Sequence, residues 1–301
     1  MTQFFKFINK KKIKFFFIFI FIGCFATKND TKPLILNSPF SKIELFSKNN
    51  EKIDAYVFKP NSEGIFPAIV ALHGCSGLIR KSGQINSRDL DWGKRLSEAG
   101  FVVIFPDSLT TRGREEICTD PSSLNMPRTT RPYDVYSALN WLQQQSFVNP
   151  KKVALMGWSN GGSSLLWTVD EGSTARPENL AEDFKLAIAF YPGCSRVTQS
   201  KNWSPKFQIE ILMGEKDDWT NPQFCKKLVQ QNENKKIINI TMYPEAYHDF
   251  DRPNSPLHTK NNLSHVANGK NSATLGTNEN ARQLAIDKVF SLLKQKLNII
   301  D

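Results

Sequence analysis

Val153-Ala154-Leu155-Met156-Gly157-Trp158-Ser159-Asn160-Gly161-Gly162 is an apolar run that breaks into a glycine-rich turn and then resumes with helical spacing to Val169. A short continuous apolar run of this kind reads as a strand covered on both faces. Similar runs recur at Ala68–Leu72, Phe101–Phe105, Leu186–Tyr191, Ile209–Met213 and Ile237–Met242, and Ile53–Phe58 alternates as a half-buried strand does. Between them lie segments with helical periodicity: Leu90–Ala99, Tyr133–Gln144, the stretch from Gly161, and Pro222–Gln231, with Glu279–Lys296 last. Strands alternating with amphipathic helices predict βαβ units, hence an α/β fold with a parallel sheet and helices on both faces. No internal repeat and no linker divides the chain, so a single domain is expected. Residues 108–131 and 252–275 lack periodicity. The first is a long loop of the kind that often carries function; the second, rich in Asn, Ser, Gly and Pro, reads as mobile.

The 301 residues are 40% hydrophobic, which suits an ordinary globular core. At the N-terminus Lys6, Lys10, Lys11, Lys12 and Lys14 precede eleven apolar residues, Phe15–Phe25. A spanning helix needs about 20 apolar residues and a signal-peptide core roughly 7–15, so residues 1–26 read as an export signal. Phe21-Ile22-Gly23-Cys24 resembles a bacterial lipobox, which makes Cys24 a candidate lipidation site and membrane anchor. Cleavage after Ala26 or an uncleaved anchor are the alternatives. Residues 27–42 read as a polar leader and 43–301 as the folded domain. Without the five leading lysines the formal charge of +10 becomes +5, and no basic stripe with interleaved aromatics points to nucleic acid. Cys75, Cys118, Cys194 and Cys225 form an even set with no zinc or redox spacing. Pairing Cys75–Cys118 and Cys194–Cys225 would join loops after neighbouring strands, with free buried thiols as the alternative.

Gly157-Trp158-Ser159-Asn160-Gly161 is a GxSxG pentapeptide in the strand–turn–helix setting of a nucleophile elbow. A serine hydroxyl needs a base to take its proton. Of four histidines, His258 and His265 fall in the polar 252–275 segment, and His73 precedes Gly74 at a strand end. His248 follows the strand Ile237–Met242, at the sheet edge where α/β proteins build their sites. A carboxylate must orient that imidazole. Asp217, after the strand Ile209–Met213, is preferred to Asp218 because its Gly-x-x-Asp spacing suits such an acid. For the oxyanion, the backbone N–H groups of Asn160 and Cys75 are expected as donors, the latter in His73-Gly74-Cys75-Ser76-Gly77. A Cys75 thiolate nucleophile is the weaker rival, since that residue has no elbow.

The chain resembles the dienelactone hydrolase family at Leu72–Leu78, Arg112-Gly113 through Cys118-Thr119-Asp120, Gly157–Gly162, Phe190–Cys194, Gly214–Thr220 and Tyr243–Phe250. The resemblance spans about residues 50–295. It implies an α/β-hydrolase fold with a mostly parallel central sheet in one domain, and a triad on Ser159, Asp217 and His248. The chain order Ser, Asp, His is the one α/β-hydrolases use. The family's namesake enzymes carry a Cys nucleophile where this chain has Ser159, and export fits poorly with their cytoplasmic pathway. Fold and triad are therefore carried over, and the dienelactone substrate is not.

The expectation is a serine hydrolase acting on a small-molecule ester or lactone through an acyl-enzyme, with neither metal nor organic cofactor implied. His73, Trp158, Arg112 and Arg114 are candidate substrate contacts; the two arginines would hold a substrate carboxylate or else be solvated surface charge. A peptidase or amide hydrolase would use the same triad. A catalytically idle binding protein of this fold is the rival from another class, and such proteins usually lack a triad member.

Overall fold

The computed structural model describes residues 39–266 and 269–299. Cys24 and residues 1–26, read above as an export signal, lie outside them. The sheet has eight strands: β1 Ser41–Phe46, β2 Lys52–Phe58, β3 Phe66–Leu72, β4 Val102–Pro106, β5 Val148–Trp158, β6 Leu186–Phe190, β7 Ile209–Gly214 and β8 Ile238–Tyr243. Their spatial order is β1-β2-β4-β3-β5-β6-β7-β8. The pairs β1·β2 and β2·β4 are antiparallel and the others parallel. The mostly parallel α/β expectation is met, with an antiparallel margin at the β1 edge. The sequence reading missed β1, whose alternating side chains are mostly exposed at the sheet's edge.

The residues of β4, β6 and β7 are buried throughout, as continuous apolar runs require when helices cover both faces. The helices are α1 Ser87–Glu98, α2 Met126–Thr129, α3 Arg131–Gln143, α4 Asn160–Thr168, α5 Ser195–Thr198, α6 Pro222–Gln231 and α7 Glu279–Lys296. Arg282 of α7 reaches Asp91 of α1 at 2.6 Å. One contiguous core runs through the sheet, with Trp92, Trp158, Phe105 and Phe190 among its largest fully buried side chains.

The segment 252–275 corrects the expectation of a mobile loop. β9 (His258–Lys260) pairs antiparallel with β10 (Ala273–Leu275), and Leu263, Ala273 and Leu275 pack on Cys75, Leu109, Ile117, Cys118 and Trp219 in a second, smaller cluster. The ribbon is tied down further where Gly276 N–H donates to the His248 carbonyl at 3.1 Å. Polar composition hid it, because what holds a ribbon is backbone pairing and a few apolar anchors.

Candidate active site

The site forms at the C-terminal ends of the parallel strands β3, β5, β7 and β8. β3 and β5 pair with Leu72 opposite Gly157, which brings the turn after β3 beside the turn after β5. β7 and β8 deliver their loops from two and three strands along.

At the end of β5 the chain turns so sharply that Ser159 takes φ 53° and ψ −114°, a region costly for a residue with a side chain. The turn is possible only because its flanks are glycine. A Cβ on Gly161 would stand 2.2 Å from the Leu72 carbonyl oxygen, and one on Gly157 would stand 2.6 Å from that of Gly161. Both obstacles are backbone and cannot swing aside. Ser159 therefore sits as the N-cap of α4, where the first N–H groups of the helix lack intrahelical acceptors and the helix dipole favours negative charge.

His248 joins the loops. Its Nε2 lies 2.8 Å from Ser159 Oγ, and its Nδ1 lies 2.8 Å from Asp217 Oδ2. A carboxylate only accepts, so Nδ1 carries the proton and Nε2 is left as the acceptor for the serine hydroxyl. Asp217 is held by three further donors: Oδ1 accepts from the N–H of Trp219 (2.9 Å) and of Thr220 (2.8 Å), and Oδ2 from the Thr220 hydroxyl (3.0 Å). The rings of Tyr191 and Trp219 stand 4.5 and 4.7 Å from the imidazole. All three residues are nearly excluded from solvent, with Ser159 7% exposed. Asp218 turns elsewhere, accepting from the N–H (2.8 Å) and hydroxyl (3.1 Å) of Thr274 on β10.

Beside Ser159 opens a cleft of about 130 Å³. Cys75 and Asn160 both line it, together with Ile117, Leu124, Pro127, Trp167 and Trp219. The loop 108–131 thus supplies part of a wall, as its length suggested. Cys75 is bonded to Cys118, and Cys194 to Cys225, the pairing favoured from the sequence. Two such bonds fit oxidising surroundings and leave Cys75 no thiol with which to attack. Among the described residues no cluster of His, Cys, Asp and Glu is suited to a metal ion.

The four candidate substrate contacts lie away from this cleft. Arg112 is engaged by Asp134 (2.8 Å) and Glu51 (2.5 Å), and Arg114 pairs with Asp120. Both border a separate surface hollow, and the arginine that lines the cleft is Arg196. Trp158 is fully buried, its indole N–H donating to Asp251 at 2.8 Å. His73 is fully buried too; its Nε2 accepts from Ser108 N–H at 3.2 Å, so Nδ1–H donates to the Gly74 carbonyl at 2.8 Å. Burial, and next the Arg131 charge, hold His73 well below the usual histidine range, so the ring is neutral.

Arg131 was not singled out from the sequence, although it shapes the site. Buried at the start of α3, it donates to Asn160 Oδ1 (2.7 Å) and to the His73 carbonyl (2.8 Å), linking the turns after β5 and β3. Burial pushes this guanidinium down to about 10. No hydropathy signal marks a buried arginine; the Pro132 that follows it only announces a helix start.

Residues 53–297 match the model of the dienelactone hydrolase family. The chain belongs to that family. This dienelactone hydrolase relative is thus a hydrolase of α/β-hydrolase fold, in a family that acts on small molecules. Among solved structures it is similar to a dienelactone hydrolase-like promiscuous phosphotriesterase from metagenomic libraries, at 15% identity and TM-score 0.63 over 86% of this chain and 99% of that one. It is also similar to Thermogutta terrifontis esterase 2, a structure phosphorylated by paraoxon, at 16% identity and TM-score 0.58 over 85% and 94%. The acylaminoacyl peptidase of Pyrococcus horikoshii aligns at 13% identity and TM-score 0.60 over 88% of this chain and 43% of that one. No curated protein matches the sequence.

Proposed function

We propose that this hydrolase is a serine esterase using Ser159, His248 and Asp217. The observation that carries the reading is one imidazole 2.8 Å from both the serine oxygen and the carboxylate. Ser159 Oγ attacks the carbonyl carbon of an ester or lactone while His248 Nε2 takes its proton. Asp217 holds the imidazole in the required tautomer and stabilises the imidazolium. The oxyanion falls to the backbone N–H groups of Asn160 and Cys75, where loss of one donor typically costs about 10²–10³-fold. His248 then gives the proton to the leaving alcohol, and a water activated by the same base releases the acid from the acyl-enzyme.

An ester is favoured over a peptide substrate because the esterase neighbour is spanned over 94% of its length and the peptidase over only 43%. A cleft of about 130 Å³ holds a small group only. In a series from p-nitrophenyl acetate to p-nitrophenyl laurate, kcat/KM is expected to peak at acetate to butyrate and fall for longer chains. A folded protein that turns over none of them would contradict the esterase reading and favour a binding role.

Export belongs to the same proposal, supported by the lysine-led apolar run of residues 1–26 and the two disulfides. Residues 27–42 then form the leader of an exported domain, and Cys24 holds it at the membrane. Mass spectrometry of the native N-terminus is expected to find an acylated Cys24. A free amine beginning after Ala26 would exclude the anchor.

A further inference from the structure

Directly after the base, the chain carries Asp249 and Asp251, both buried and neither part of the proton relay. No cation is hydrogen-bonded to the Asp251 carboxylate among the described residues; Arg282 Nε donates to the Asp251 backbone carbonyl at 3.0 Å. Its Oδ2 accepts from the indole N–H of Trp92 (2.7 Å) and of Trp158 (2.8 Å), and its Oδ1 from the Tyr191 hydroxyl at 2.5 Å. Two of these three donors adjoin the reacting groups. Trp158 immediately precedes Ser159, and its ring stacks on Phe190 at 5.3 Å. Tyr191 presents its ring to His248 at 4.5 Å, from a backbone held at φ 36°. The Tyr191 carbonyl also lies 3.1 Å from the Thr220 hydroxyl that steadies Asp217. Asp249 adds a second tie: its Oδ1 accepts from Arg88 Nη1 at 2.8 Å, and a Cβ on Gly74, in the oxyanion turn, would stand 3.4 Å from Arg88 Nη2.

A carboxylate stripped of water, with only neutral groups hydrogen-bonded to its oxygens, is costly to bury, and an apolar residue would fill the same space more cheaply. Its three bonds instead converge from the elbow, from the wall of the base and from α1. We infer that Asp251 is a positioning residue: through Trp158 and Tyr191 it sets the approach of His248 Nε2 to Ser159 Oγ. The inference rests on the serine esterase reading above. A misplacement of about 1 Å between reacting groups can cost about 10²-fold. The substrate cleft does not include Asp251, so the loss belongs in kcat and not in KM.

Asparagine separates geometry from charge. Its oxygen can face the two indole N–H groups, while its amide donates to the Tyr191 oxygen and the tyrosine hydroxyl turns to Asp249, 3.1 Å away. The test is steady-state hydrolysis of a p-nitrophenyl ester, expressed per folded molecule, by wild type, Asp251→Leu, Asp251→Asn and Tyr191→Phe. Asp251→Leu is expected to lose about 10² in kcat with KM changed less than about threefold, and Asp251→Asn to recover to within about tenfold of wild type. Tyr191→Phe, which keeps the ring against His248 and deletes only the hydroxyl, is expected to lose about tenfold in kcat. Should Asp251→Leu fail to fold, Asp251→Asn and Tyr191→Phe decide the question by themselves. A lower melting temperature with unchanged kcat per folded molecule in Asp251→Leu would overturn the inference, as would full activity in Tyr191→Phe. If Ser159→Ala kept wild-type turnover, the esterase reading itself would fail, whatever the Asp251 variants did.

Discussion

Ser159→Ala is expected to lower ester turnover by about 10⁴–10⁶-fold and leave the melting temperature nearly unchanged. The loss is large because, in the proposed mechanism, this hydroxyl forms the new bond. His248 Nε2 lies 2.8 Å from it, whereas the Thr220 hydroxyl lies 3.3 Å from Nδ1, the nitrogen turned to Asp217. The residual rate over water would come from the oxyanion donors and from substrate binding. Stability should hold because alanine keeps the Cβ, and with it the backbone strain at φ 53°. The Ser159 hydroxyl enters no hydrogen bond among the described residues other than the one to His248. p-Nitrophenyl acetate hydrolysis beside a thermal melt checks both halves.

Asp217→Asn should cost about 10⁴-fold in kcat, while Asp218→Asn should cost less than about tenfold. The two backbone N–H groups of Trp219 and Thr220 both point at Asp217 Oδ1, so the asparagine oxygen is pinned there. Its amide then occupies the Oδ2 position and faces His248 Nδ1 with a donor. The imidazole must move its proton to Nε2 to accept that bond, and Nε2 can no longer take the proton of Ser159. At Asp218 the N–H and hydroxyl of Thr274 are among the partners, and an asparagine can keep both by letting the hydroxyl accept. Parallel kinetics of the two variants would settle which carboxylate serves the base. Equal losses would mean that the ribbon held by Asp218 matters as much as the relay.

What the sequence made legible is what hydropathy and spacing encode. The buried strands announced themselves as continuous apolar runs, and the elbow as GxSxG between a strand and an apolar helix. With β7 and β8 placed, the loops carrying Asp217 and His248 followed. Polar residues that are buried by pairing escaped. α1 begins at Ser87 and not at Leu90, because Arg88 and Asp89 carry charges that read as surface, yet they form a buried ion pair at 3.0 Å. Asp251 and Arg131 leave no hydropathy signal for the same reason. The β9–β10 ribbon was lost in its composition, since backbone pairing leaves little trace in side-chain polarity. Charge alone suggests Arg112 and Arg114 as substrate contacts, and charge does not reveal that Asp134, Glu51 and Asp120 lie close enough to engage them.

The central claim is that Ser159 carries the acyl group between the two half-reactions. Rapid quenching during turnover of p-nitrophenyl acetate, followed by proteolysis and mass spectrometry, tests it most directly. An acetyl group is expected on the peptide bearing Ser159, disappearing as substrate is exhausted. Steady turnover with no acyl group on Ser159, or with one accumulating on another residue, would contradict it.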